Sequence, residues 1–240
     1  MIAVVVRRAG RVAVLLLAVA SFVQPPPLRA QTVVCFFGDS ITEGWMDAQR
    51  RPDRAFPAIV DSMFMTDGIA VDVITAGAAG ETTVDALQRI DRDVLAHRPD
   101  VVVFAFGSND YFVRGIPPRP RVPVDRFRNN CRAAFRKILG SGARIIVLPP
   151  PPVLAQRFYL LFDQAMYTPS GGVEALRSAY ARALSDVASE FFDVVFVTVD
   201  AALAADSTLL GFDGVHPQPA GHVLIAQALR QPIASAIAAG

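Results

Sequence analysis

Five short runs of β-branched and aromatic residues alternate along this chain with stretches of helical periodicity. The runs are Val33–Phe37, Val71–Ile74, Val101–Phe106, Arg144–Leu148 and Val194–Val199. Val101–Phe106 has no polar interruption, the pattern of a strand buried on both faces. Between the runs, the spacing predicts helices near 54–65, 84–95, 126–139 and 173–191, and a last one from about 220 onward. Asp125 is placed to cap the third of these. The segment from Val153 to Gly172 reads as a long loop or short helix. Alternation of this kind predicts an α/β fold with a five-stranded parallel sheet and helices on both faces. In such a sheet the C-terminal ends of all strands point to one edge, so residues far apart in the chain can meet there.

Composition bounds the rest. The chain has 240 residues, 52% hydrophobic and 19% charged, enough for one globular domain with a targeting segment. A net charge of +1 gives no electrostatic ground for a nucleic-acid partner. Arg7, Arg8 and Arg11 precede an apolar stretch, Val12–Val23, that is short of the roughly 20 residues a membrane span needs. Pro25–Pro27 and the small Ala30 follow. Residues 1–30 therefore read as a signal peptide cleaved near Ala30, with an uncleaved N-terminal anchor as the alternative. Residues 31–240 form the domain, exported to the periplasm or outside the cell and without a stable membrane span. Oligomeric state is open. Cys35 and Cys131 read as free buried thiols, since nothing places them within bridging distance. The Arg128, Arg132 and Arg136 stripe reads as a solvated helix face.

Turn signals punctuate the strand ends: Gly38-Asp39-Ser40, the glycines of 77–80, Gly107-Ser108-Asn109-Asp110 and Asp213-Gly214-Val215-His216. Each alone is an ordinary turn. Together they offer a hydroxyl, a base and donors. Ser40 is a nucleophile if a base reaches it. His216, in a Gly/Pro-bounded loop, is the best base of the three histidines. His97 falls in the last turn of a helix as a surface residue, and His222 falls inside the final helix. Asp213 can fold back to accept the Nδ1 proton and orient the ring. Donors aimed at a developing oxyanion are worth about 3–4 kcal/mol each. The Ser40 N–H, the Gly80 N–H and the Asn109 amide can supply three.

These four blocks, in this order and at these spacings, resemble those of the SGNH or GDSL-type hydrolases, and the resemblance covers essentially the whole mature chain. It implies a flavodoxin-like three-layer sandwich and hydrolysis of carboxylic esters or thioesters. It implies Ser40, Asp213 and His216 as catalytic residues and Ser40, Gly80 and Asn109 as the oxyanion hole, with no metal or organic cofactor. Ile41 stands where the family name has Leu, and Thr75 where many members carry Asn. Gly77 and Gly80 compete for the oxyanion position; the Glu81-Thr82 pair that follows favours Gly80. A small-molecule ester is the expected substrate, lipid-like or acyl. A carbohydrate O-acetylesterase or an acyltransferase is the alternative on the same scaffold. The apolar Leu154–Tyr167 segment should overhang the site, as an acyl-pocket wall or lid, or pack on its own domain.

Overall fold

The computed structural model describes residues 4–8, 11–15 and 31–239. Within the first thirty residues, strands Val4–Arg8 and Arg11–Leu15 pair antiparallel as a unit by themselves. The expected cleavage site near Ala30, the three prolines and the apolar stretch beyond Leu15 lie outside the described residues.

In the main unit, five parallel strands, β1 (Thr32–Gly38), β2 (Val71–Gly77), β3 (Val101–Ala105), β4 (Arg144–Val147) and β5 (Val194–Phe196), lie in the order β5-β4-β3-β1-β2. This is a doubly wound order, with its reversal between β1 and β3. The apolar runs are continuous because both faces of the sheet are covered. Val34 and Phe36 of β1 point to one layer, while Cys35 and Phe37 point to the other. β3 repeats the division with Val101 and Val103 against Val102 and Phe104. The first layer is built from α2 (Phe56–Thr66), α7 (Asp200–Ala205) and α8 (Pro219–Ala238), through Phe56, Val60, Leu203, Leu229 and Ile233. The second is built from α3 (Thr83–Asp93), α4 (Val124–Gly140) and α6 (Val173–Ser189), through Ile90, Phe135, Tyr180 and Leu184. Cys35 and Cys131 are free and buried in this second layer, where burial pushes the Cys35 thiol up to about 12.

Two local expectations change, and one open reading resolves. Asp125 lies inside the first turn of α4 and does not cap it; the chain enters that helix from Pro123 with no side-chain cap. β5 stops at Phe196 and not at Val199, because its one neighbour, β4, ends opposite it at Val147. The 153–172 segment resolves into α5 (Ala155–Leu161) and two 3-10 turns. The arginine stripe of α4 faces solvent and also ties to α6: Arg128 bonds Asp186 at 2.8 Å and Arg132 bonds Glu190 at 2.7 Å. Among the described residues no helix is long and apolar enough to cross a membrane.

The tips of β1 and β2 carry glycine for lack of space. The one-turn helix α1 (Ser40–Glu43) sits directly against them. A Cβ on Gly77 would stand 2.3 Å from the Glu43 amide nitrogen, and one on Gly38 would stand 2.0 Å from Thr42 Oγ1. The Gly77 neighbour is backbone and cannot swing aside. Gly77→Ala is expected to lower stability by about 1–3 kcal/mol. In a urea titration this appears as a lower midpoint with an unchanged slope.

Candidate active site

Ser40 owes its position to the end of β1. The Asp39 carboxylate accepts the Ile41 N–H at 3.0 Å and caps α1, which opens on Ser40. Gly44, in the left-handed region at φ 93°, closes the turn. Burial pushes the Asp39 carboxyl up to about 6, against the opposing pull of the Ile41 N–H and of His216. The strand tip is held by the buried Arg89, which stacks over the Phe37 ring at 4.7 Å, bonds the Gly38 carbonyl at 3.0 Å and pairs with Glu81.

His216 arrives from the opposite end of the chain. Asp213 Oδ1 accepts the Val215 and His216 backbone N–H groups at 2.9 and 3.0 Å, and its Oδ2 takes His216 Nδ1 at 2.5 Å. With Nδ1–H donating to the carboxylate, Nε2 carries the free lone pair. Ser40 Oγ lies 2.9 Å from that Nε2. Burial works against charge at both partners and loses. It pulls the imidazole down, but the Asp213 hydrogen bond and charge, with Asp39 and Asp47, hold His216 above its usual 6.5. It pushes Asp213 up, but the His216 contact and the two backbone N–H groups hold it below the usual carboxylate value.

Donors can be identified by accounting for the 78–82 loop. The Ala78 N–H bonds Gly38 O at 3.1 Å, Ala79 N–H bonds Glu43 Oε2 at 2.8 Å, Glu81 N–H bonds Ala78 O at 3.4 Å and Thr82 N–H bonds Asp85 Oδ2 at 2.8 Å. The Gly80 N–H has no partner among the described residues, and Gly80 takes a left-handed φ of 76°. Gly77, the rival glycine, ends β2 inside the sheet ladder, where its missing side chain makes room for α1. The Ser40 N–H and the Asn109 amide nitrogen likewise have no partner among the described residues. Asn109 stands in the turn after β3. Its neighbour Asp110 is buried and accepts the Thr83 N–H at 3.0 Å, which ties that turn to the start of α3. Burial pushes the Asp110 carboxyl up to about 7 despite the Thr83 donors.

Ser40, Asn109, Asp213 and His216 line one cavity of ≈ 320 Å³. Its other walls are mostly apolar: Trp45, Phe112, Leu161, Phe162, Phe212 and Val215. Gly80 is outside this lining.

A family model described as the GDSL-like lipase/acylhydrolase family matches residues 36–224. The chain belongs to that family. It is a carboxylic ester hydrolase. An acetylxylan esterase from Geobacillus stearothermophilus is 25% identical over 217 residues, 82% of this chain and 92% of that protein. An uncharacterized lipoprotein, YqeF, from Bacillus subtilis is 27% identical over 220 residues, 84% of this chain and 89% of that protein. A crystal structure of the lipase/acylhydrolase from Enterococcus faecalis superposes with a TM-score of 0.70 at 25% identity, covering 85% of this chain and 95% of that one.

The other two histidines of this GDSL-family chain lie elsewhere. His97 is exposed, in a 3-10 turn just past α3 and not in the helix itself. His222 is buried under Phe56, stacked at 6.0 Å, with Nδ1 accepting the Phe56 N–H at 3.2 Å. Burial pulls its imidazole down to about 3, so it stays neutral. Sequence reasoning missed Trp45, Phe112 and Phe212 as lining residues. Each lies within a few residues of a motif block, which is the signal that would have found them. The 154–167 segment divides its labour: Phe158 and Tyr167 are core, while Leu161 and Phe162 reach the cavity. It is fastened as a wall, with Leu154 N–H on Gly214 O at 2.9 Å and Arg157 Nη1 on Leu210 O at 2.6 Å.

An NMR titration of the imidazoles is expected to give His216 a midpoint above 6.5. Asp213→Asn should move that midpoint down, because burial then disfavours the imidazolium with its bonded carboxylate gone and only Asp39 and Asp47 to oppose it. A midpoint that stays put would mean that Asp213 does not set it.

Proposed function

We propose that this esterase works through Ser40 as nucleophile, His216 as general base and Asp213 as the group that orients and charges the imidazole. The Ser40 N–H, the Gly80 N–H and the Asn109 amide receive the oxyanion. The observation that carries this reading is the 2.9 Å approach of Ser40 Oγ to an imidazole whose far nitrogen is bound to a carboxylate at 2.5 Å. His216 Nε2 takes the hydroxyl proton as Oγ attacks the acyl carbon, and the carbonyl electron pair moves onto oxygen. Collapse of the tetrahedral intermediate expels the alcohol or thiol, which takes the proton from the imidazolium. Water then attacks the acyl-serine with the same imidazole as base, and the acid leaves with Ser40 restored. The raised His216 value suits this work, because a more basic imidazole takes the hydroxyl proton more readily.

The substrate class follows from the cavity walls. Apart from the groups assigned above, the space is bounded chiefly by aromatic and aliphatic side chains. Two of them, Leu161 and Phe212, are 51% and 52% exposed at its mouth. An apolar rim leading to an apolar space of ≈ 320 Å³ fits an acyl chain longer than acetyl. A deacetylase of polysaccharides is the second reading, favoured by the likeness to the Geobacillus acetylxylan esterase. We further propose that the enzyme is exported by its first thirty residues, with cleavage near Ala30. The arginines followed by an apolar stretch and the lipoprotein name of the Bacillus relative support this.

A series of p-nitrophenyl esters tests both parts. Each methylene buried is worth about 0.8 kcal/mol, so kcat/KM should rise about fourfold per added carbon from acetate until the cavity is filled. Phe162→Ala should flatten that rise, and Ser40→Ala should lower kcat by more than about 10⁴-fold. A maximum at acetate, joined by turnover of acetylated xylan, would favour the deacetylase. Undiminished turnover by Ser40→Ala would end the serine mechanism.

A further inference from the structure

The three proposed oxyanion donors stand on three separate segments, and nothing in the motifs says how these keep register. Two charged side chains outside the motifs' assigned roles span the gaps. Glu43 rides on the same one-turn helix as Ser40 and takes the Ala79 N–H at 2.8 Å, directly before Gly80. Its carboxylate is itself held by Arg50 at 2.9 Å and by the Trp45 indole N–H at 3.0 Å. On the other side of the loop, Arg121 Nη1 donates to the Gly80 carbonyl at 2.8 Å and stands 3.5 Å from Asn109 Oδ1. A group facing Oδ1 of Asn109 leaves the amide NH₂ as the end turned elsewhere.

We propose that Arg121 is a positioning residue for the oxyanion hole, setting the Gly80 peptide and the Asn109 amide relative to each other. The inference deepens the proposed esterase mechanism and rests on it. Arg121 is suited to the task because its root is fixed. Its own N–H bonds Phe112 O at 2.8 Å, and the next N–H, that of Val122, bonds Asp110 O at 3.1 Å. Both acceptors lie in the turn that carries Asn109, so the guanidinium reaches from the Asn109 segment to the Gly80 loop. The Gly80 carbonyl and the Gly80 N–H belong to adjacent peptides joined at a left-handed φ of 76°, so the setting of one bears on the setting of the other. Arg121 fixes one of them from outside, and Glu43 fixes the preceding amide. Arg121 also brings a positive charge within one carbonyl of the site where negative charge would develop. It is partly exposed and touches neither Ser40 nor His216 by hydrogen bond, so it does not act on the proton transfer.

The test is Arg121→Met in the full chain, with Arg121→Lys beside it and Ser40→Ala as the control for the underlying mechanism. Steady-state kinetics on p-nitrophenyl butyrate should show kcat lower by about 10- to 100-fold, with KM within about threefold. Inhibition by a simple alkylboronic acid, whose serine adduct is tetrahedral, should weaken by a similar factor. The acid-limb midpoint of the pH profile and the melting temperature should stay close to those of the unaltered enzyme, and Lys should restore part of kcat. A kcat within twofold in Arg121→Met, or a loss carried wholly by KM, would overturn the proposal. So would a loss of kcat with boronate affinity unchanged. Failure of Ser40→Ala to silence turnover would instead overturn the serine mechanism, whatever Arg121 does.

Discussion

A hydroxyl and an imidazole 176 residues apart in sequence lie within 2.9 Å of each other, and the rest of the molecule is arranged to keep them there. The parallel sheet makes this approach possible. Every strand ends at the same edge, so the turn after β1, the loop after β2, the turn after β3 and the loop before α8 are neighbours although the chain between them is long. Burial of both sheet faces fixes the register of the strands and hence the height of each turn. Small errors would matter to the proposed proton transfer, which needs hydrogen-bond distance.

Much of this was legible in the residues. The continuous apolar runs encode a two-faced sheet, and the strand Val101–Ala105 bears this out residue by residue, with alternate side chains in opposite layers. Gly77 was harder. As a sequence, 77–80 offers two glycines that compete for the oxyanion role, told apart only by the Glu81-Thr82 pair after the second. Their difference lies in packing: a Cβ on the first would stand 2.3 Å from the Glu43 backbone, while the second bears an amide with no other partner among the described residues. Such an accounting needs partners distant in sequence, and these do not show in local pattern. The same holds for Asp125, which local rules place at a helix cap and which the turn at Pro123 draws inside the helix instead. Phe158 and Phe162, one turn apart on an apolar segment, look alike in sequence, yet one is core and the other reaches the cavity.

Charged residues with more than one partner hold the edge together. Arg89 secures the end of β1, Glu43 joins α1 to the loop after β2, and Arg157 binds α5 to the segment before His216. Each sits where a side chain can close a gap between two turns that share no strand pairing. An arginine is suited to this because its planar head offers several donors in fixed directions. The wall of the cavity is therefore continuous with the frame of the site, and the 154–167 segment is better described as part of that frame than as a lid.

Covalent labelling of the purified chain by a fluorophosphonate, followed by mass spectrometry of its peptides, tests the central claim most directly. The account predicts one phosphonyl adduct, on Ser40, formed slowly or not at all in His216→Ala. An adduct on another residue, or none on Ser40 in a preparation that still hydrolyses esters, would contradict it.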